Sequence, residues 1–191
     1  MRAPSQILLP VLLVACAKAG EPTKDEPQPR ITERELPEEG LIVQEIDLDG
    51  DGTPEIWNLF QEREDAPRLR VRKKVDLNFD GRVDVVSHFD ETGSLYLEEL
   101  DADLDGVLDW TDHYKDGVRV LAEVDTNFDG RPDVFSYYAV GADGKSYIDR
   151  KERDTNGDGK IDAWERFDPS GAVVRTGRDT DGDGKMDVRD E

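Results

Sequence analysis

A single cysteine, Cys16, stands in the 191-residue chain, so no disulfide can form within it. Histidine is almost as scarce. His88 and His113 fall in one repeat slot that Leu59, Tyr137 and Arg166 fill elsewhere, so repeat phase explains them better than a zinc or catalytic pair. Basic residues number 25 against 46 acidic ones, a formal net charge of -21. No basic patch is therefore expected for nucleic acid or for anionic lipid. No Gly-rich phosphate loop and no nucleophile–base arrangement occurs. Close carboxylate pairs of the kind glycoside hydrolysis uses all fall inside the loops described next, so no enzyme is expected. An acidic chain with 36% apolar residues is either disordered or uses its acids as ligands. Their placement decides.

Residues 154–165 read D-T-N-G-D-G-K-I-D-A-W-E. Oxygen side chains stand at positions 1, 3, 5, 9 and 12: Asp154, Asn156, Asp158, Asp162 and Glu165. Gly159 holds position 6, where a sharp turn is needed that glycine makes without steric cost. A hard cation such as Ca²⁺ takes six to eight oxygens, and this spacing curls them around one point. The stretch resembles an EF-hand calcium loop.

Six segments fit the same pattern through position 9. Loop 1 offers Asp47, Asp49, Asp51 and Glu55; loop 2 offers Asp76, Asn78, Asp80 and Asp84. Loop 3 has Asp101, Asp103, Asp105 and Asp109; loop 4 has Asp125, Asn127, Asp129 and Asp133. Loop 5 is the stretch above, and loop 6 has Asp179, Asp181, Asp183 and Asp187. Position 12 is also oxygen-bearing, and Asp112, Glu165 and Asp190 are the candidate ligands there. The backbone carbonyl at position 7 completes the expected set. Six bound Ca²⁺ would bring the formal charge from -21 to about -9, within the range of soluble domains. Mg²⁺ fits poorly, because it prefers few carboxylates and several retained waters. Loops three apart begin 78 residues apart (47 to 125, 76 to 154, 101 to 179), which points to duplication of a three-loop unit.

The intervening segments repeat as well. An aromatic follows each of the first five ninth-position acids by five residues: Phe60, Phe89, Tyr114, Tyr138 and Phe167. Turn signals such as Asp116-Gly117 and Asp143-Gly144 divide the segments, and β-branched and aromatic residues flank them. Each repeat thus reads as loop, strand, tight turn, strand. The expected fold class is all-β: a repetitive antiparallel meander, or a solenoid, of short strands joined by calcium-binding loops. Loops would line one end and tight turns the other. Trp57, Trp110, Trp164 and the aromatic series would supply a thin core. EF-hand helices have no room between these loops. The D-x-D-x-D-G-x-x-D loops of integrin-type (FG-GAP) propellers and the thrombospondin type 3 repeats are similar to this pattern. Four-stranded blades or disulfides set those folds apart, and the helix after the loop does so for dockerins.

Residues 1–15 carry Arg2 and then the apolar run 7–15, too short to span a bilayer as a mature helix, and read as a signal peptide. Leu13-Val14-Ala15-Cys16 resembles the lipobox of bacterial lipoproteins, which implies cleavage before Cys16 and lipidation there. Three acyl chains exceed what stable anchoring needs. Ala17, rather than Asp, after the cysteine implies the outer membrane by the sorting pattern of that class. Residues 16–39 are rich in Glu, Pro and Lys and read as a tether reaching roughly 25–30 Å if flexible. Residues 40–191 form the six-repeat domain. Two roles suit such a chain: a calcium-stiffened structural or adhesive module with a protein or polysaccharide partner, or an extracytoplasmic calcium buffer or sensor. Cys16→Ser is expected to abolish metabolic lipid labelling and release the protein in soluble form. A substituted protein that keeps its lipid would remove the assignment.

Overall fold

The computed structural model describes residues 28–190. Cys16, the signal peptide and the opening stretch of the expected tether lie outside them. Among the described residues there is no helix, and thirteen strands follow one another: β1 (Arg30–Leu36), β2 (Leu41–Asp47), β3 (Ile56–Gln61), β4 (Leu69–Val75), β5 (Val85–Phe89), β6 (Leu95–Leu100) and β7 (Trp110–Lys115). They continue as β8 (Val118–Val124), β9 (Val134–Val140), β10 (Ser146–Arg153), β11 (Ala163–Phe167), β12 (Val173–Arg178) and β13 (Val188–Asp190). All belong to one open sheet in sequence order, each strand antiparallel to the next. Of the two architectures expected, the structure is the meander.

The acidic loops join β2 to β3, β4 to β5, and so on to β12 and β13, so all six stand at one end of the sheet. Turns occupy the other end, tight ones except for the longer link 62–68 between β3 and β4. At 90–94, the Asp90 carboxylate accepts the Thr92 and Ser94 N–H groups, and Gly93 takes φ 84°. The 168–172 turn repeats this with Asp168, Ser170 and Gly171. Those N–H groups, with the Thr92 and Ser170 hydroxyls contributing most, hold both carboxyls below the usual range.

The first strand corrects the expected boundary at residue 40. β1 lies inside the stretch read as tether and pairs along its whole length with β2. Its side chains are almost all exposed and carry no apolar signal. Backbone pairing and surface ion pairs hold it: Arg34 to Glu45 at 2.8 Å, and Arg68 to Glu33 at 2.7 Å. A charged edge strand of this kind also resists pairing with another sheet.

Among the described residues no second layer covers this sheet, since each strand packs substantially only on its sequence neighbours. Both faces therefore need partial cover, which is why apolar residues occur on both, as at Ile56 and Trp57. Among the described residues the buried apolar side chains are few: Val43, Leu59, Val86 and Ala122. Val43 and Leu59 are directly opposite each other on β2 and β3. The aromatic series does not make the core expected of it. Phe60, Phe89, Tyr114 and Phe167 each stand where the register shifts by a bulge. The extra residue of each bulge stands on the following strand (Val71, Tyr96, Val120 and Val174), where it adds local twist opposite the aromatic. Arginines then cap the rings: Arg68 lies 4.1 Å from the Phe60 centroid and Arg70 4.5 Å from that of Phe89. Cation–π contact thus replaces ring-on-ring packing. Leu59→Ala removes half of the best-buried cross-strand pair. It is expected to cost about 2–4 kcal/mol in denaturant unfolding of the calcium-saturated protein. A loss within error would mean that apolar packing contributes little here.

Candidate metal centre

Each loop folds around its own first carboxylate. In loop 1 the Asp47 carboxylate accepts the Gly52 N–H at 3.0 Å and the Gly50 N–H at 2.5 Å. In loop 3 Asp101 accepts Leu104 and Gly106 N–H groups, both at 2.7 Å; in loop 6 Asp179 accepts Gly182 at 2.8 Å and Gly184 at 2.6 Å. Position 3 accepts the N–H of position 5, as in Asp51 to Asp49 at 3.0 Å and Asp129 to Asn127 at 2.9 Å. Position 5 accepts that of position 7, as in Arg82 to Asp80 at 2.8 Å. Position 9 reaches back to the N–H of position 2, as in Leu77 to Asp84 at 2.6 Å. One conformation therefore recurs six times.

Backbone angles agree. Positions 4 and 6 both take positive φ in every loop. Position 6 is always glycine, but position 4 is Phe79, Leu104 and Phe128 in loops 2 to 4, at φ 63°, 65° and 59°. Bulky residues there cost on the order of 1 kcal/mol or more each. The surrounding hydrogen bonds over-determine the turn.

Strand pairing then clamps each loop. The position-9 N–H donates to the residue just before position 1, as Asp84 does to Val75 at 2.8 Å. Successive loops are also stitched together. The Asp76 N–H donates to the Glu55 carbonyl, Asp101 to Asp84, Asp125 to Asp109, Asp154 to Asp133 and Asp179 to Asp162, all at 2.8–2.9 Å. Arg82 adds a cross-loop contact to the Asp105 carbonyl at 2.8 Å.

This clamping decides burial. Asp47, Glu55, Asp76, Asp84, Asp101, Asp109, Asp125 and Asp133, at positions 1 and 9 of loops 1 to 4, are buried. Asp154, Asp162 and Asp179 are half-buried, and Asp187, next to the short edge strand β13, is exposed. Residues at positions 3 and 5 (Asp49, Asp51, Asn78, Asp80, Asp103, Asp105, Asn127, Asp129, Asn156, Asp158, Asp181 and Asp183) are exposed. Carboxylate oxygens of Asp47, Asp49, Asp51 and Glu55 lie within 4.8 Å of one another, as do those of Asp101, Asp103 and Asp109 and of Asp179, Asp181 and Asp187. Among the described residues no lysine, arginine or histidine forms an ion pair with an acid at position 1 or 9; only Asp183 has one, to Lys185. Gathered, partly buried negative charge without protein cations fits a multivalent cation with oxygen ligands.

Position 12 behaves differently from what was expected of it. Asp112, Glu165 and Asp190 sit on β7, β11 and β13, outside those groups, and arginines take their carboxylates: Arg119 at 2.6 Å, Arg153 at 2.8 Å and Arg178 at 3.8 Å. Asp112 also accepts the Trp110 indole N–H at 2.9 Å. A strand entered after position 9 turns residue 12 into a cross-strand ladder, whereas a helix would bring it back to the loop. His88 and His113 separately meet Glu99 and Glu123, at 2.9 and 2.8 Å, and form no shared site. Position 2 is a contributor that the sequence reading passed over. The hydroxyls of Thr126, Thr155 and Thr180 donate to Asp133, Asp162 and Asp187 at 2.7–2.8 Å. The recurrence of threonine after the first aspartate in loops 4 to 6 was the available signal.

Proton affinities follow the local donors. Burial raises the Asp154 and Asp179 carboxyls, but converging backbone N–H groups outweigh it and leave both below the usual range. Asp187 is lowered by the Thr180 N–H and hydroxyl. Such groups add stability near neutral pH that is lost as pH falls through their lowered values. Asp109 runs the other way: burial first, then the charges of Asp103, Asp101 and Asp105, push it up. Its ionised form opposes the metal-free fold at neutral pH, and that opposition fades as pH falls.

A family model described as EF hand matches residues 148–165, which hold most of β10, loop 5 and the start of β11. The loop is thus EF-hand-like while its flanks are strands. No curated protein matches the chain. Asp109→Asn keeps an acceptor for the Ala102 N–H and removes one charge. It is expected to retain more strand signal than the parent in EGTA, and to need about tenfold more Ca²⁺ at one site of a calorimetric titration. Unchanged behaviour in both would show that charge at position 9 is not what the metal reads.

Proposed function

We propose that the protein is a non-catalytic, lipid-anchored module of the bacterial cell envelope, held at the outer membrane through Cys16, whose sheet is stiffened by up to six Ca²⁺. The observation that carries the calcium reading is the sixfold recurrence of one loop conformation, with carboxylate oxygens gathered within 4.8 Å in loops 1, 3 and 6 and, among the described residues, no pairing cation at positions 1 and 9. The EF-hand match over loop 5 supports the choice of ion. Ligands would come from positions 1, 3, 5 and 9, with Asp112, Glu165 and Asp190 serving the ladder instead. The structural role rests on the thin apolar packing, since only four apolar side chains are buried among the described residues. An open sheet with two accessible faces is suited to presenting a surface to a protein or polysaccharide. Millimolar dissociation constants would match such a role outside a cell, and micromolar ones a sensor.

Binding at tenfold the dissociation constant adds about 1.4 kcal/mol per site, so six independent sites add roughly 8, comparable to a whole domain's stability. EGTA is therefore expected to abolish most of the strand signal in circular dichroism. Millimolar Ca²⁺ should restore it, and equal Mg²⁺ should not. A chelated protein with its full strand signal and melting temperature would make the loops incidental to a self-sufficient fold.

A further inference from the structure

Basic residues are the minority in this chain, yet four arginines gather at one place on the sheet. Arg150 on β10, Arg166 on β11 and Arg175 on β12 are direct cross-strand partners, Arg150 opposite Arg166 and Arg166 opposite Arg175. Like charges set directly opposite on neighbouring strands destabilise a sheet. The same row is mixed earlier in the chain, where Leu59, Leu97 and Leu121 stand among Arg72, His88 and His113, with no two arginines directly opposite. Arg189 on β13 joins from the next row, opposite Gly177.

These side chains surround a pocket of about 270 Å³. Trp164, opposite Gly177, and Met186 give it an apolar wall. Met186 packs over Gly177, its Sδ 2.5 Å from where a Cβ would stand, so a side chain there would displace it. Glu152 lines the pocket too, 3.3 Å from Arg150, and Asp149 meets Arg166 at 3.1 Å. Arg150 also stacks 3.9 Å from the Tyr137 ring centroid, which fixes its plane.

We infer that this pocket between β10 and β13 binds a small saccharide bearing a sulfate or carboxylate group. Arginine forks match such oxyanions bidentately. The indole gives a flat apolar surface for a sugar ring, and the Glu152 carboxylate accepts from its hydroxyls. The net charge of -21 repels long polyanions, so the site suits a compact ligand rather than a nucleic acid or a membrane. The site goes beyond the calcium reading, because the one candidate loop ligand that lines it, Glu165, is held by Arg153 instead.

The test is calorimetric titration of the calcium-loaded mature chain with a chondroitin sulfate disaccharide, lactose, inorganic sulfate and adenosine monophosphate. The disaccharide is expected to bind, with affinity falling as salt rises, and lactose and sulfate to bind at least about tenfold more weakly. The double variant Arg150→Gln with Arg166→Gln should lose about tenfold or more in affinity, and Trp164→Leu should also weaken binding. Strand signal and calcium uptake measured on the same samples separate loss of this site from failure of the calcium reading. Arg166→Gln alone relieves like-charge opposition and serves if the double variant does not fold. No binding at millimolar disaccharide, equal binding by a folded arginine variant, or tighter binding of the nucleotide would each overturn the assignment.

Discussion

Carboxylate repulsion is the constraint on which the rest of this structure depends. Three or four acids are brought to each loop, and several are drawn out of water. The fold answers first with backbone N–H groups, two or three on each first-position aspartate, such as Gly81 and Phe79 on Asp76. Those dipoles hold the carboxylates in place without neutralising them. The turn needed to aim the dipoles requires positive φ at positions 4 and 6, and three bulky residues accept it. Strain, burial and charge are therefore concentrated at one end of the sheet. The other end consists of ordinary turns and the longer link 62–68.

The architecture was legible because its signals are local. The spacing of oxygen side chains gave the loops, the Asp-Gly and Asp-x-x-Gly turns gave the opposite end, and β-branched runs such as 83–86 gave strands. Alternating loops and turns with no room for helices leave little but a meander. β1 was not legible, because Thr32, Glu33, Arg34 and Glu35 are held by backbone pairing and exposed ion pairs, and neither leaves a hydrophobic pattern. The role of position 12 was misread for a related reason. Whether Asp112 returns to its loop depends on the element that follows, and the loop motif is shared between helical and strand contexts. The arginine caps on Phe60 and Phe89 depend on cross-strand register shifted by bulges, which one-dimensional spacing does not reveal.

The row that carries the arginines shows how a repeat can be differentiated without changing its fold. Equivalent slots hold Leu59, His88, His113, Tyr137 and Arg166, and the backbone is a strand in every case. Loop chemistry fixes the frame, so the strand faces are free to vary. In the first repeats that freedom is divided between apolar cover, as at Leu59 and Leu97, and single basic side chains, as at Arg72. In the last ones it goes to charge, tolerated because Asp149 and Glu152 lie close by.

Neighbour-only contact also has a mechanical consequence. Tension applied between the two ends of the described chain loads an edge strand, whose hydrogen bonds lie across the strand direction and break in succession. The sheet then peels hairpin by hairpin, in small steps, without a single large rupture. Each stitch from a loop's first residue to the carbonyl of the loop before it lies on that peeling front. Length is released gradually, and re-pairing can proceed from whatever portion of the sheet is left.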